Sequence, residues 1–294
     1  MLCLLVIFVL WQTQTEQSSQ ARLLVERLQS DQIEERETAS KALIKLGAVA
    51  LTEVENAAKS KDIELAARAR KVLTAIRSRI AEDTFTKIEE NIAKARTVSA
   101  MIKYDWYRKE KNEDAKRFHG SGTLLLKEGN RLSMILNGFD ADEMKVENVV
   151  NCDGSTFFSH GRLWNWSGGA TLGNRTGVKD TFTRVFCRGG AIFALDCWRQ
   201  LPYGADKLTS AAEFSELDED KGGSTLSYKL SSSLEAGVAI EVKVWYDPKD
   251  LKLLKRTLEI KGVNTVGSFT ETYDEFVLNA DIPDEKFVSP KEKR

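Results

Sequence analysis

Histidine is almost missing from this chain, with His119 and His160 the only two in 294 residues. Each stands just before a glycine, in Arg117-Phe118-His119-Gly120 and Phe158-Ser159-His160-Gly161, near an expected turn and with no partner at metal-ligand spacing. That argues against a histidine metal centre and against histidine acid/base catalysis. Net charge is missing too: 43 basic and 44 acidic residues leave −1. Nucleic-acid binders carry a basic excess, so that class is set aside. Cysteine is sparse, and Cys152, Cys187 and Cys197 form no CxxC pair and no zinc spacing. Two readings stand for Cys187 and Cys197: a disulfide in an oxidising compartment, or buried free thiols acting as small hydrophobes. There is no GxSxG, no HExxH and no glycine loop that would cradle a phosphate. The run Glu216-Leu217-Asp218-Glu219-Asp220 lacks the glycine and terminal glutamate of a calcium loop and reads as a solvated acidic turn. No catalytic residue, metal ligand or cofactor is therefore expected.

Long apolar runs are also few. Leu2 to Trp11 is one, followed by a polar stretch from Gln12 to Gln20. Ten helical residues at ~1.5 Å each cover about half of a ~30 Å hydrocarbon core, too short to span it. The run suits the apolar region of a signal peptide, although no basic residue precedes it and no Ala-x-Ala follows. Residues 1–20 are expected to be a signal peptide or N-terminal anchor, which makes the protein exported and periplasmic. Cys3 stands too early for a lipoprotein acylation site.

What the chain does have is patterning. Apolar residues make up 42% of it, and its length suits two modules. From Ala21 to Ile80 the apolar period is helical: Ala21, Leu24, Val25 and Leu28, then Ala39, Ala42, Leu43 and Leu46, then Leu65, Ala69, Val72, Leu73, Ile76 and Ile80. Asp31 with Glu34 fits a capping box, and Gly47 a stop. Sliding Ser30 onto Ser60 also brings Ile33 onto Ile63, Glu34 onto Glu64, Ala39 onto Ala69 and Leu43 onto Leu73. Such self-similarity marks a helical solenoid. The wording from Asp31 to Gly47 resembles a short HEAT-type repeat, which implies HEAT-like hairpins over residues 21–82. Arg68, Arg70, Lys71, Arg77 and Arg79 crowd the last of these helices. A solvated face is the plain reading, and a contact surface for an acidic partner or anionic lipid headgroups the sharper one.

Residues 83–290 read differently. Asp83-Thr84 is expected to cap a new helix striped by Phe85, Ile88, Ile92 and Ala95. The period then changes to two. Val98, Ala100, Ile102, Tyr104 and Trp106 share one strand face. Leu132, Met134 and Leu136 share another, as do Val238, Ile240, Val242, Val244 and Tyr246, and then Leu254, Arg256, Leu258 and Ile260. Phe269 to Leu278 is a last strand, expected to be bulged. Turn signals separate the runs at Gly129-Asn130, Asp153-Gly154, Gly222-Gly223 and Lys261-Gly262. No long helices lie between consecutive strands, so βαβ units are excluded and the sheet is expected to be antiparallel and curled. The exception is 178–200, which reads as two short amphipathic helices hinged at Gly189-Gly190 and serving as a lid. Trp164 and Trp166 form an aromatic loop before it.

Two stretches carry a family likeness: Val244 to Ile260, with Asp247-Pro248 at its turn, and Tyr273 to Phe287, with Asn279 after the final strand. Asn151 to Phe158 adds a strand-turn-strand before the lid. Together with the order of elements, these resemble the bacterial lipoprotein-carrier (LolA/LolB-like, outer-membrane lipoprotein-sorting) family. The resemblance implies an α+β fold in which a half-open barrel, capped by helices, binds acyl chains.

On that reading the protein is a non-catalytic periplasmic carrier or sensor for the acyl chains of a lipid or lipoprotein. An acyl chain needs apolar lining and a way in, and no reactive group. The candidate lining is Leu132, Met134, Leu136, Ile240, Val242, Val244 and Leu258 on the sheet, with Phe182, Phe186, Ile192 and Phe193 on the lid. Ordinary core packing is the competing reading for each. A protein partner gripped by the helical repeats and a transient membrane contact complete the expected partners. The alternative is a cell-envelope interaction scaffold with a solid β core and no ligand cavity.

Overall fold

A computed structural model describes residues 16–161, 166–171, 178–190, 212–220, 223–231 and 238–288. The chain divides into two compact units. One takes residues up to Thr84 with Phe214–Leu217, and the other takes Phe85–Glu213 with the residues from Asp218 on.

The first unit is helical apart from Phe214–Leu217, which are strand. Residues 16–27 form α1, followed by α2 (Ile33–Leu46), a 3-10 turn (Gly47–Ala50), α3 (Leu51–Ala58) and the long α4 (Ile63–Lys94), whose last turns from Phe85 belong to the second unit. The stripes read from the sequence make its core: Leu28, Leu43, Val54 and Ile76 are all fully buried. Each such burial contributes about 1.5–3 kcal/mol. Gly47 ends α2 as expected. The expected cap at Asp31 does not form. Gln32 holds the N-cap position without a side-chain bond, and the Ser30 hydroxyl accepts the Gln32 N–H at 3.1 Å. Ser60 accepts the Asp62 N–H in the same way, at 3.1 Å. Both copies use this serine turn, and in the second Asp62, at the place of Gln32, also caps the helix by accepting the Glu64 and Leu65 N–H groups at 2.9 and 3.1 Å. Of the basic residues on α4, Arg70 and Lys71 are exposed. Arg68 donates to the Leu28 carbonyl, Arg77 pairs with Glu55 at 3.0 Å and Arg79 donates to the Ile44 carbonyl.

No new helix starts at Asp83. Between Ile63 and Lys94 there is no glycine or proline to end α4. Asp83 pairs one turn back with Arg79, and the apolar stripe runs on through Phe85, Ile88 and Ile92, all at 1% exposure or less.

The second unit is built on strands. These are β1 (Thr97–Glu110), β2 (Lys116–Lys127), β3 (Arg131–Phe139), β4 (Lys145–Asp153), β5 (Thr156–Gly161), β6 (Trp166–Thr171), β7 (Ala212–Asp220), β8 (Gly223–Ser231), β9 (Ala239–Tyr246), β10 (Leu253–Lys261) and β11 (Thr265–Leu278). They form one 11-stranded sheet in the order β6-β5-β4-β3-β2-β1-β11-β10-β9-β8-β7. Apart from the β1–β11 pairing every neighbour is also a sequence neighbour, and the described ladders are antiparallel. The sheet is open, with β6 and β7 at its ends. The fold is thus α+β with an unclosed antiparallel sheet.

Several loops expected from the sequence are strands. Trp166 begins β6 rather than lying in an aromatic loop, and Glu216–Asp220 belongs to β7 rather than to an acidic turn. Both are edge strands, held by backbone pairing on one side, where glycine and charge are tolerated without apolar alternation. His119 and His160 lie within β2 and β5, not at turns. On β10 a bulge between Leu253 and Lys255 shifts the face, so that Leu253, Arg256 and Leu258 are buried and Leu254 is not. The bulge expected in β11 is present, opposite Ser99 to Met101.

Two observations fit a curled sheet. A Cβ at Gly120, Gly122 or Gly138 would sit 2.1, 2.0 or 2.1 Å from a carbonyl oxygen of the neighbouring strand. The backbones of β2 and β3 approach too closely there for any side chain, as at a barrel corner. The second observation is helix α5 (Val178–Gly189), which touches β3 and is hydrogen-bonded by Tyr228 of β8. In a flat sheet the six steps from β3 to β8 would span about 29 Å, whereas α5 is about 18 Å long. On the outer face of β3 and β4, the 3-10 turn Asp284–Phe287 is packed with Phe287 at 1% exposure.

Candidate functional site

The inner face of the curled sheet is the candidate site. Register places its residues in rows across the strands. Val98, Leu126, Leu132 and Cys152 form one row, and Ala100, Leu124, Met134 and Val150 the next. Farther along lies a row of eight, in the order Val146, Gly138, Gly120, Tyr104, Glu271, Arg256, Val244 and Leu226. Alternation by two puts every member of a row on the same side. An apolar face is thus interrupted, midway, by a tyrosine, a glutamate and an arginine.

Helix α5 covers this interruption with its last turn. The final carbonyls of a helix have no partners within it. Here Arg256 donates from Nη1 to the Phe186 carbonyl at 2.5 Å and from Nη2 to the Cys187 carbonyl at 2.8 Å. Tyr228 donates to the Arg188 carbonyl at 2.5 Å. A cation at a helix C-terminus is also favoured by the helix dipole. Gly190 follows with φ +89, and a Cβ there would lie 2.7 Å from Glu271 Oε2 and 3.1 Å from Arg256 Nη1. Only glycine fits that bend and that approach. The rings of Phe186 and Tyr273 flank the Arg256 guanidinium at 5.5 and 5.8 Å. On the far side of α5, Arg188 grips Glu89 of α4 through Nε at 2.9 Å and Nη2 at 3.3 Å, and Phe85 of α4 packs on Tyr228 with ring centroids 4.9 Å apart.

The electrostatics follow from burial. Arg256 and Glu271 are both fully buried. Desolvation pulls the Arg256 guanidinium down, but Tyr273, Tyr228 and Glu271 around it carry it above its ordinary value, so it stays charged. Desolvation pushes the Tyr273 and Tyr228 hydroxyls up, with the Glu271 bond adding to the effect at Tyr273. Both remain donors at any physiological pH. Cys152 and Cys187 are buried free thiols. Burial raises both, which leaves them unreactive at neutral pH.

The structure brings nine of the candidate lining residues to this region. Leu132, Met134 and Leu136 stand on β3, Ile240, Val242 and Val244 on β9, Leu258 on β10, and Phe182 and Phe186 on α5, all at 5% exposure or less. Ile192 and Phe193 lie outside the described residues, as do Trp164, Cys197 and the segment before residue 16. What sequence reasoning missed is the polar set of Arg256, Glu271, Tyr273, Tyr228 and Tyr104. The signal was present: an arginine stood in the middle of the alternating run Leu254, Arg256, Leu258, Ile260. Among the described residues there is no group of three side chains placed to hold a metal, and no helix long and apolar enough to cross a membrane.

No protein-family model matches this chain, and no curated protein matches it. Solved structures do match. LprF from Mycobacterium bovis is similar over 70% of this chain and 96% of its own, at 10% identity and a TM-score of 0.35. A LolA superfamily protein from Nitrosomonas europaea is similar over 71% of this chain and 97% of its own, at 10% identity and a TM-score of 0.29. A DUF1329 family protein from Desulfovibrio piger is similar over 72% and 97%, at 9% identity and a TM-score of 0.30. Likenesses of this size carry no weight for function. The inner face and its helix do.

Proposed function

We propose that this protein is a non-catalytic carrier or sensor, exported to the periplasm, that holds an acyl chain of a lipid or lipoprotein on the inner face of its sheet. The observation that carries this reading is how α5 is held: its end is fastened to an apolar face by hydrogen bonds from Arg256 and Tyr228. Such bonds can be exchanged for water when the helix lifts. Magnitudes support an exchange. Lifting the helix gives up two charged hydrogen bonds, about 1.5–3 kcal/mol each, and the burial of Phe182 and Phe186, about 1.5–3 kcal/mol each. Twelve methylenes entering in their place return on the order of 10 kcal/mol. The two sides nearly balance, as reversible loading requires. The nine described lining candidates are the proposed contact surface, and the helical unit is the proposed adaptor for a protein partner.

One observation favours the second reading, an interaction scaffold. With the nine candidates at 5% exposure or less, the inner face is filled by the protein's own side chains in this state. Native mass spectrometry of the full chain with methyl palmitate separates the two. The carrier binds one chain at micromolar methyl palmitate and releases the amide of Gly190 to exchange. A chain that binds no methyl palmitate, even at the highest concentration that stays dispersed, is the scaffold.

A further inference from the structure

Tyr104 interrupts the inner face where its neighbours have no side chains. Its cross-strand partner on β2 is Gly120, and Gly120 in turn faces Gly138 on β3. The ring reaches across β2, so that a Cβ at Gly138 would lie 2.7 Å from the Tyr104 hydroxyl. Gly122, opposite Ile102, is covered by the Leu136 side chain, whose Cδ2 would lie 2.7 Å from a Cβ there. Tyr104 is 4% exposed, and among the described residues its hydroxyl has no hydrogen-bond partner. A buried hydroxyl without an acceptor is a standing cost, and a phenylalanine would fill the same space without it. The two glycines thus make room for the ring, and the ring carries an unmatched donor onto the backbone at Gly138.

We propose that Tyr104 is the polar anchor of the binding site, donating to the ester or amide carbonyl that joins an acyl chain to its headgroup over the floor of Gly120 and Gly138. This rests on the acyl-binding reading above. Burial pushes the Tyr104 hydroxyl up to about 12, so it is a neutral donor throughout the physiological range. A neutral donor suits a neutral acceptor. A carboxylate or phosphate brought to the same place would lose its hydration for one uncharged bond, while a single donor satisfies a carbonyl.

The test is a pair of lipids and one variant, all with the full chain. Dipalmitoyl phosphatidylglycerol and its dihexadecyl ether analogue share chains and headgroup and differ at the carbonyls. The wild type is expected to bind the ester roughly three- to tenfold more tightly, the value of one net hydrogen bond. Tyr104→Phe is expected to bind both lipids equally, at the affinity of the ether. Without ligand, Tyr104→Phe is expected to melt at or above the wild-type temperature, since its hydroxyl has no partner to lose. Equal binding of both lipids by the wild type, or an ester preference kept by Tyr104→Phe, overturns the anchor and leaves acyl binding standing. A clearly lower melting temperature for Tyr104→Phe also overturns it, because the hydroxyl is then structural. If the wild type binds neither lipid, acyl binding itself fails and the anchor falls with it.

Discussion

The two halves of the sheet bury different chemistry on the same face. From β1 to β4 the inner residues are apolar or glycine over most rows, with Leu124, Leu126, Leu132, Met134 and Leu136 all at 0% exposure. From β8 to β11 the same face carries Arg256, Glu271, Tyr273 and Tyr228. Charge in the first half stays outside, where Lys127 and Arg131 hold Asp284 of the C-terminal turn. The difference lies in what each half must satisfy. The second half receives the end of α5, whose last carbonyls have no partners of their own. Burying them against leucines would leave acceptors unmatched, at about 1–3 kcal/mol each. One half is built to pack, and the other to hold a helix end.

The largest expected effect comes from Arg256. Arg256→Ala strips donors from the Phe186 and Cys187 carbonyls and leaves Glu271 buried beside a gap. Breaking a buried charged cluster in this way is expected to cost about 3–5 kcal/mol in chemical denaturation. Arg256→Met sharpens the point. It keeps most of the volume but still leaves Glu271 buried without its cation, so about 3–5 kcal/mol should go here too, which separates lost charge from lost volume. The amide of Gly190, now bonded to the Phe186 carbonyl at 2.8 Å, should lose protection from hydrogen exchange beyond that global loss. An Arg256→Ala variant as stable as the wild type would show that the second half is only another apolar core.

Met134 tests the other half. Its cross-strand neighbours Leu124 and Val150 are both buried. Met134→Ala removes contacts and leaves no polar group unmatched, so about 2–4 kcal/mol of stability should go. Protection at Gly190 should be untouched once that global loss is allowed for. If Gly190 opens in Met134→Ala as it does in Arg256→Met, the halves are not separate and the contrast fails.

The same contrast explains how much of the molecule could be read in advance. The face of β3 was legible because Leu132, Met134 and Leu136 alternate with polar residues, and burial follows that alternation directly. Val98 to Trp106 was legible for the same reason. The face of Arg256 was legible but its role was not, because alternation reports which side a residue faces and not what it meets there. Its partners are backbone carbonyls about seventy residues away in sequence, and no local pattern encodes them. Asp83 was misread as a cap because its side chain suits one. Helix termination, however, needs a breaker, and none stands between Ile63 and Lys94. Tyr104 looked like one more apolar position of β1. Its meaning came only from Gly120 and Gly138 lying beside it, two strands deep.

The smallest expected effect tests the claim that charge in the first half is peripheral. The Asp284 carboxylate takes a hydrogen bond from Lys127 Nζ at 2.6 Å and lies 3.2 Å from Arg131. The Lys127 bond, with both cations near, holds its carboxyl below the usual range. A carboxyl depressed in the folded state stabilises above its unfolded value, about 3.9 for aspartate, and that contribution is lost as pH falls through the lower folded value. Asp284→Asn should therefore be slightly less stable than the wild type at pH 7, and the gap should close on acidification below about pH 4. Because the pair is solvent-exposed, added salt should narrow the same gap at pH 7. Thermal melts across pH and salt read both trends. Arg256→Met compared with the wild type should show no such salt dependence, because its surroundings are dry. A salt response of equal size at the two sites would mean that water reaches Arg256, and the inner face of the second half would then be open rather than sealed by α5.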